Sequence, residues 1–91
     1  MDKKDEVDLK VSQGVLKYLR NKTRWDWARI ANLIGVSERT LRRIKKGEVG
    51  FSFQQLLTLK ERMGPEVLSI PEDASPEVKE LYKAYRFMIL E

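Results

Sequence analysis

The sequence predicts an all-α protein, and three observations carry that prediction. Apolar residues recur at spacings of three and four along most of the chain. Three stretches open with the same signature, a polar capping residue with an apolar residue just before it and another at the fourth helical position. These are Trp25-Asp26 with Ile30, Val36-Ser37 with Leu41, and Phe51-Ser52 with Leu56. Gly35, Gly47 and Gly64 then fall where helices opened by those caps would stop.

The first helix is expected from about Val7 to Asn21, because Val7, Val11, Val15, Leu16 and Leu19 make one apolar face. Gly14 is a weak spot within it. The second helix starts at the Asp26 cap and ends near Ile34, where Gly35 tolerates the left-handed conformation that stops and turns the chain. Ser37 caps the third helix, and Gly47 closes it shortly after Ile44. Only Val36 and Ser37 separate Gly35 from the third helix, a connection that favours a steep crossing over antiparallel stacking.

Ser52-Phe53-Gln54-Gln55 is a capping box that opens the fourth helix. Leu56, Leu57, Leu59 and Met63 form its buried stripe, and Gly64-Pro65 ends it. Residues 65–74 read as a connector, with Val67, Leu68 and Ile70 available to the core. Ser75-Pro76, with Glu77 in the first turn, starts a C-terminal helix over 75–91, and Val78, Leu81, Tyr82, Tyr85, Met88 and Ile89 form its apolar face.

Composition bounds the function. The 91 residues make one small domain and contain no Cys and no His, which removes disulfides, zinc–thiolate sites and imidazole acid–base chemistry. No apolar run approaches the roughly 20 residues that span a bilayer. The charged start, Met1 to Glu6, is followed by no signal-type segment. A soluble, cytoplasmic protein with no cofactor and no metal is the expectation. The carboxylates Glu72, Asp73, Glu77 and Glu80 have no catalytic companions in the sequence, so no enzyme is expected.

The net charge of +4 is unevenly spread. Lys10 to Lys46 carries eleven basic and two acidic residues, whereas the segments before and after it are net acidic. Five of the eight residues from Arg39 to Lys46 are Arg or Lys. Segregation of this kind suggests a polyanion-facing centre, although a solvated basic helix would give the same count.

The stretch Ile30-Ala31-Asn32-Leu33-Ile34-Gly35-Val36-Ser37 resembles the helix-turn-helix of phage repressor and Cro proteins, the lambda-repressor-like (Xre) class. Thr40 to Gly47 fits the recognition helix of that family and its glycine stop, and Ser52 to Leu59 fits its fourth helix. The chain departs from the family twice. Trp27 stands where a Gln is common, and Gly50-Phe51 stands where Asn-Pro is usual.

The resemblance implies a lambda-repressor-like domain of four to five helices over residues 1–64, with the motif at about 26–47 and an extra C-terminal helix. It implies a sequence-specific, double-stranded-DNA-binding transcriptional regulator, a phage or mobile-element repressor that binds as a homodimer with residues 38–46 in the major groove. The residues that would meet base edges are Glu38, Arg39 and Arg43. Arg can bond guanine bidentately, and Glu can accept from a cytosine amine.

Glu38 has a second role open to it, complementing the helix dipole or holding Arg39 or Arg42 in place. Lys22, Arg24, Trp27, Arg29, Thr40, Arg42, Lys45 and Lys46 are the expected phosphate or backbone contacts. Thr40 is equally readable as a packing residue. Trp27 can lie against the sugar–phosphate backbone or pack under the first helix, whereas the staple position of Trp25 makes it a core residue.

For dimerisation the candidates are Tyr82, Tyr85, Met88 and Ile89, with Phe87 nearby, since interface cores favour aromatics and Met. The same helix could instead fold back on its own domain. An antitoxin-like adaptor, whose C-terminal helix binds a protein partner, is the alternative function. RNA binding is disfavoured, because A-form major grooves do not admit side chains.

Overall fold

The computed structural model describes residues 6–90 and is all-helical, with five α-helices and no strand among the described residues. They are α1 (Leu9–Thr23), α2 (Trp27–Ile34), α3 (Glu38–Lys45), α4 (Phe53–Met63) and α5 (Pro76–Leu90), with a 3₁₀ turn at Pro65–Leu68 between the last two. The caps explain the boundaries. Asp26 Oδ1 accepts from the Arg29 amide at 2.9 Å, and Ser37 Oγ accepts from the Thr40 amide at 3.1 Å. Ser52 and Gln55 complete both halves of the capping box. Gly35 takes a φ of 86° and donates its amide to Ala31, which ends α2 and turns the chain toward α3.

The first helix begins two residues later than its apolar pattern suggests. Asp8, not a residue before Val7, is the cap, and it accepts from the amides of Lys10 and Val11 at 2.9 and 3.2 Å. Val7 lies outside the helix, buried, and donates its amide to the Phe51 carbonyl at 2.8 Å. Beside it, Glu6 forms an isolated antiparallel bridge with Ser52. Ser12, fully buried, donates its hydroxyl to the Val7 carbonyl and accepts from the Phe51 amide at 3.0 Å. A proline at position 51 would have no amide to give, so the chain's departure to Gly50-Phe51 is what allows this junction.

One core joins all the elements. Val11, Val15, Leu16 and Leu19 of α1 meet Ile30, Ala31 and Ile34 of α2, Leu41 and Ile44 of α3, and Leu56 and Leu59 of α4. Each buried Leu or Ile contributes roughly 1.5–3 kcal/mol relative to exposure. The 3₁₀ turn adds Val67 and Leu68, while Ile70 is half-buried.

The C-terminal helix is part of this core and packs against α1 and the 3₁₀ turn. Tyr82 is 1% exposed and donates its hydroxyl to the Val11 carbonyl at 3.5 Å, and Ile89 is 7% exposed. Tyr85 is half-buried, with its hydroxyl accepting the Asp8 amide at 2.9 Å. Tyr82 and Ile89, expected in a dimer interface, are therefore occupied inside their own domain. Among the described side chains of α5, Phe87 and Met88 are the large apolar ones left in solvent, at 67% and 53% exposure. The reason is the helix period: Val78, Tyr82, Tyr85 and Ile89 line one face, and residues 87 and 88 turn away from it.

Gly14 also finds its reason here. A Cβ at that position would overlap the Tyr82 hydroxyl and stand 3.2 Å from its Cζ. The weak spot in α1 is the gap through which α5 approaches it.

Candidate nucleic-acid interface

The third helix is short and divided between two environments. Leu41 and Ile44 are buried, and Glu38, Arg39, Arg42, Arg43 and Lys45 are exposed, as is Lys46 just beyond the helix end. Among the described residues the one salt bridge is Lys83–Glu80 on α5, so no basic side chain of α3 is neutralised by a described carboxylate. Glu38 accordingly holds neither Arg39 nor Arg42 in an ion pair, and its first-turn position next to the Ser37 cap suits the helix dipole.

Thr40 is half-buried, and the cap engages it twice. Its amide donates to Ser37 Oγ, and its own hydroxyl oxygen accepts from that group at 3.1 Å. The hydroxyl proton of Thr40 stays free to donate, so the cap engages this residue without closing its expected backbone contact.

The end of α3 is held from outside the motif. Gln13 of α1 donates its side-chain amide to the Lys45 carbonyl at 2.8 Å, closing one of the orphan acceptors at the helix C-terminus. Nothing in the local sequence around Gln13 signals this, because the partner lies far along the chain.

Trp27 stands beside this junction, half-buried, with the Lys45 ammonium 4.2 Å and the Arg20 guanidinium 5.0 Å from its ring centroid. Such cation–π contacts are worth about 0.5–1 kcal/mol each where water reaches them. Gln13, Leu16, Lys17, Arg20, Trp27 and Lys45 line a cleft of about 340 Å³. Of the two alternatives for Trp27, packing beneath the first helix describes one side of the ring, and the open cleft describes the rest.

The remaining expected contacts lie at the end of α1 and the start of α2. Lys22, on the last turn of α1, and Arg24, just beyond it, are exposed. Arg24 has a φ of 59°, the one positive value outside glycine among the described residues, and its amide caps α1 on the Arg20 carbonyl. Arg20 also donates to the Trp25 carbonyl, tying this turn together. Arg29 is exposed, with its guanidinium 3.9 Å from the Trp25 ring centroid. Trp25 thus packs against the core on one side, as its staple position suggested, and is half-buried with a cation over the other.

The outcome is a cleft where the end of α1, the start of α2 and the end of α3 meet. Arg20 and Lys45 stand over Trp27 and Arg29 over Trp25, none of these cations in a salt bridge among the described residues. Among the described residues no group of three or more His, Cys, Asp or Glu could hold a metal ion, and no helix is long and apolar enough to cross a membrane. Comparison of the chain with protein-family models, curated proteins and solved structures returns no match.

Proposed function

We propose that this chain is a sequence-specific, double-stranded-DNA-binding transcriptional regulator of the lambda-repressor-like class, a repressor of the phage or mobile-element kind. The observation that carries the reading is the division of α3. Leu41 and Ile44 anchor the helix to the core, while Arg39, Arg42, Arg43 and Lys45, with Lys46 beyond its end, face solvent without described carboxylate partners. A capped helix held rigidly with a cationic outer face suits insertion into the major groove. Glu38, Arg39 and Arg43 then read bases, and Lys22, Arg24, Trp27, Arg29, Arg42, Lys45 and Lys46 meet the backbone.

A two-fold dimer on half-sites about one helical turn apart completes this reading, and among the described side chains of α5 Phe87 and Met88 are the exposed large apolar ones available to it. The same exposed pair favours a second reading, an antitoxin-like adaptor whose C-terminal helix docks on another protein. Selection of binding sites from random duplexes, at stated salt, tests the regulator reading. Enrichment of one motif over competing duplex RNA supports it, and uniform recovery of all sequences rejects sequence-specific readout.

A further inference from the structure

We infer that the cleft around Trp27 is a built-in seat for one backbone phosphate of duplex DNA, with Lys17 and Arg20 of α1 as its unassigned ligands and Trp27 as the residue that positions its cations. The inference rests on the DNA-binding reading and extends the interface onto a helix outside the motif.

Three cations, Lys17, Arg20 and Lys45, line this one cleft, and no described carboxylate lines it with them. Like charges gathered in one place repel unless an anion joins them, so the cluster is preorganised for a negative group. Its members are held rather than loose. The Lys45 backbone is pinned by Gln13, and the ammonium rests on the Trp27 ring. Arg20 is fixed by the Trp25 carbonyl and the same indole, which leaves further guanidinium N–H donors for a ligand. Lys17 is exposed at the rim.

The cleft adjoins the C-terminal end of α3, so a strand whose groove receives that helix passes it. Trp27 takes the place where the resembled family often carries a hydrogen-bonding Gln. An indole cannot imitate that amide, but it can hold two cations over its face until a phosphate takes them.

The test uses the full chain and a short mixed-sequence duplex, with affinity measured from about 50 to 200 mM salt. Lys17→Ala should make the slope of log K against log[salt] shallower by about 0.9, the value of one phosphate contact. Trp27→Leu keeps every charge and should weaken binding about two- to fivefold with the slope unchanged. In a Trp25→Phe background Trp27 is the sole indole, and its emission should respond to duplex at concentrations where inorganic phosphate has no effect.

An unchanged slope in Lys17→Ala, while Arg39→Ala and Arg43→Ala still lose affinity, overturns the phosphate seat and leaves the regulator reading standing. A Trp27 response to inorganic phosphate equal to that for duplex at matched phosphate concentration overturns the backbone assignment. No duplex binding by the unaltered chain at low salt overturns both readings.

Discussion

Gly14 of α1 and Tyr82 of α5 share one space: the tyrosine hydroxyl lies where a side chain at position 14 would begin, and it donates to the Val11 carbonyl one turn earlier in α1. Glycine inside a helix costs roughly 1 kcal/mol relative to alanine, and here that cost buys close approach of the last helix to the first. Gly14→Ala should therefore destabilise the protein by about 1–3 kcal/mol despite its better helix propensity. Tyr82→Phe removes the overlapping atom, so the double variant should recover most of the loss. A double-mutant cycle by urea unfolding checks this, and additive costs would sink the explanation.

Tyr82 also gives the fold a pH dependence. Burial, followed by the nearby Asp8 carboxylate, pushes its hydroxyl up from 10.0 to about 12. The folded chain therefore keeps a proton that the unfolded chain releases. The stabilisation is complete below pH 10 and is lost as pH rises through about 12, amounting to at most about 2–3 kcal/mol. Unfolding free energies measured from pH 9 to 12 should fall more steeply for the natural chain than for Tyr82→Phe. Parallel profiles would show that the hydroxyl is not protected.

What the sequence made legible was local. The Asp26, Ser37 and Ser52 caps, and the Gly35 stop, depend on residues within one turn of each other, and all four take the expected geometry. What it concealed was contact across the chain. Gly14 reads as a defect until Tyr82 is beside it, and Gln13 reads as a surface residue until Lys45 is beside it.

The last helix was ambiguous for a different reason. Val78, Tyr82, Tyr85 and Ile89 look alike to any apolar partner, so periodicity alone did not say that α1, and not a second chain, covers Tyr82. For the candidate site, exposure of the α3 arginines followed from the helix period. The cations around Trp27 did not, because four of the cleft's residues come from α1 and the other two from α2 and α3.

Arg39 and Arg43 are exposed and free of described carboxylate partners, so removing them leaves the core untouched. Arg39→Ala and Arg43→Ala should each lose about 1–3 kcal/mol of specific binding while melting like the natural chain. Electrophoretic or anisotropy titrations against a selected site provide the measurement. Binding by both variants at full strength would remove α3 from the groove.

Ser12 joins three parts of the fold through one hydroxyl, bonded to the Val7 carbonyl and the Phe51 amide. Ser12→Ala leaves a buried amide without a partner and should cost about 1–3 kcal/mol. Amide hydrogen exchange at Phe51 should accelerate in the variant beyond what global destabilisation explains. Exchange that only tracks the global loss would mean that the junction opens with the whole molecule.

Arg24 separates stability from function. A non-glycine residue in the left-handed region costs about 1–2 kcal/mol, and the position just past a helix end is one where glycine is preferred. Glycine there relieves the strain but adds freedom to the unfolded chain, so Arg24→Gly should gain a net stability of about 0.5–1 kcal/mol. Arg24→Ala keeps the strain and removes the same charge. If the arginine is held in this conformation for a backbone phosphate, the two rankings diverge: stability runs Gly above Arg and Ala, whereas duplex affinity runs Arg above Ala and Gly, with a shallower salt slope in both variants. Unfolding curves and salt-dependent titrations on the three proteins distinguish this from a merely structural arginine, for which affinity would be the same in all three.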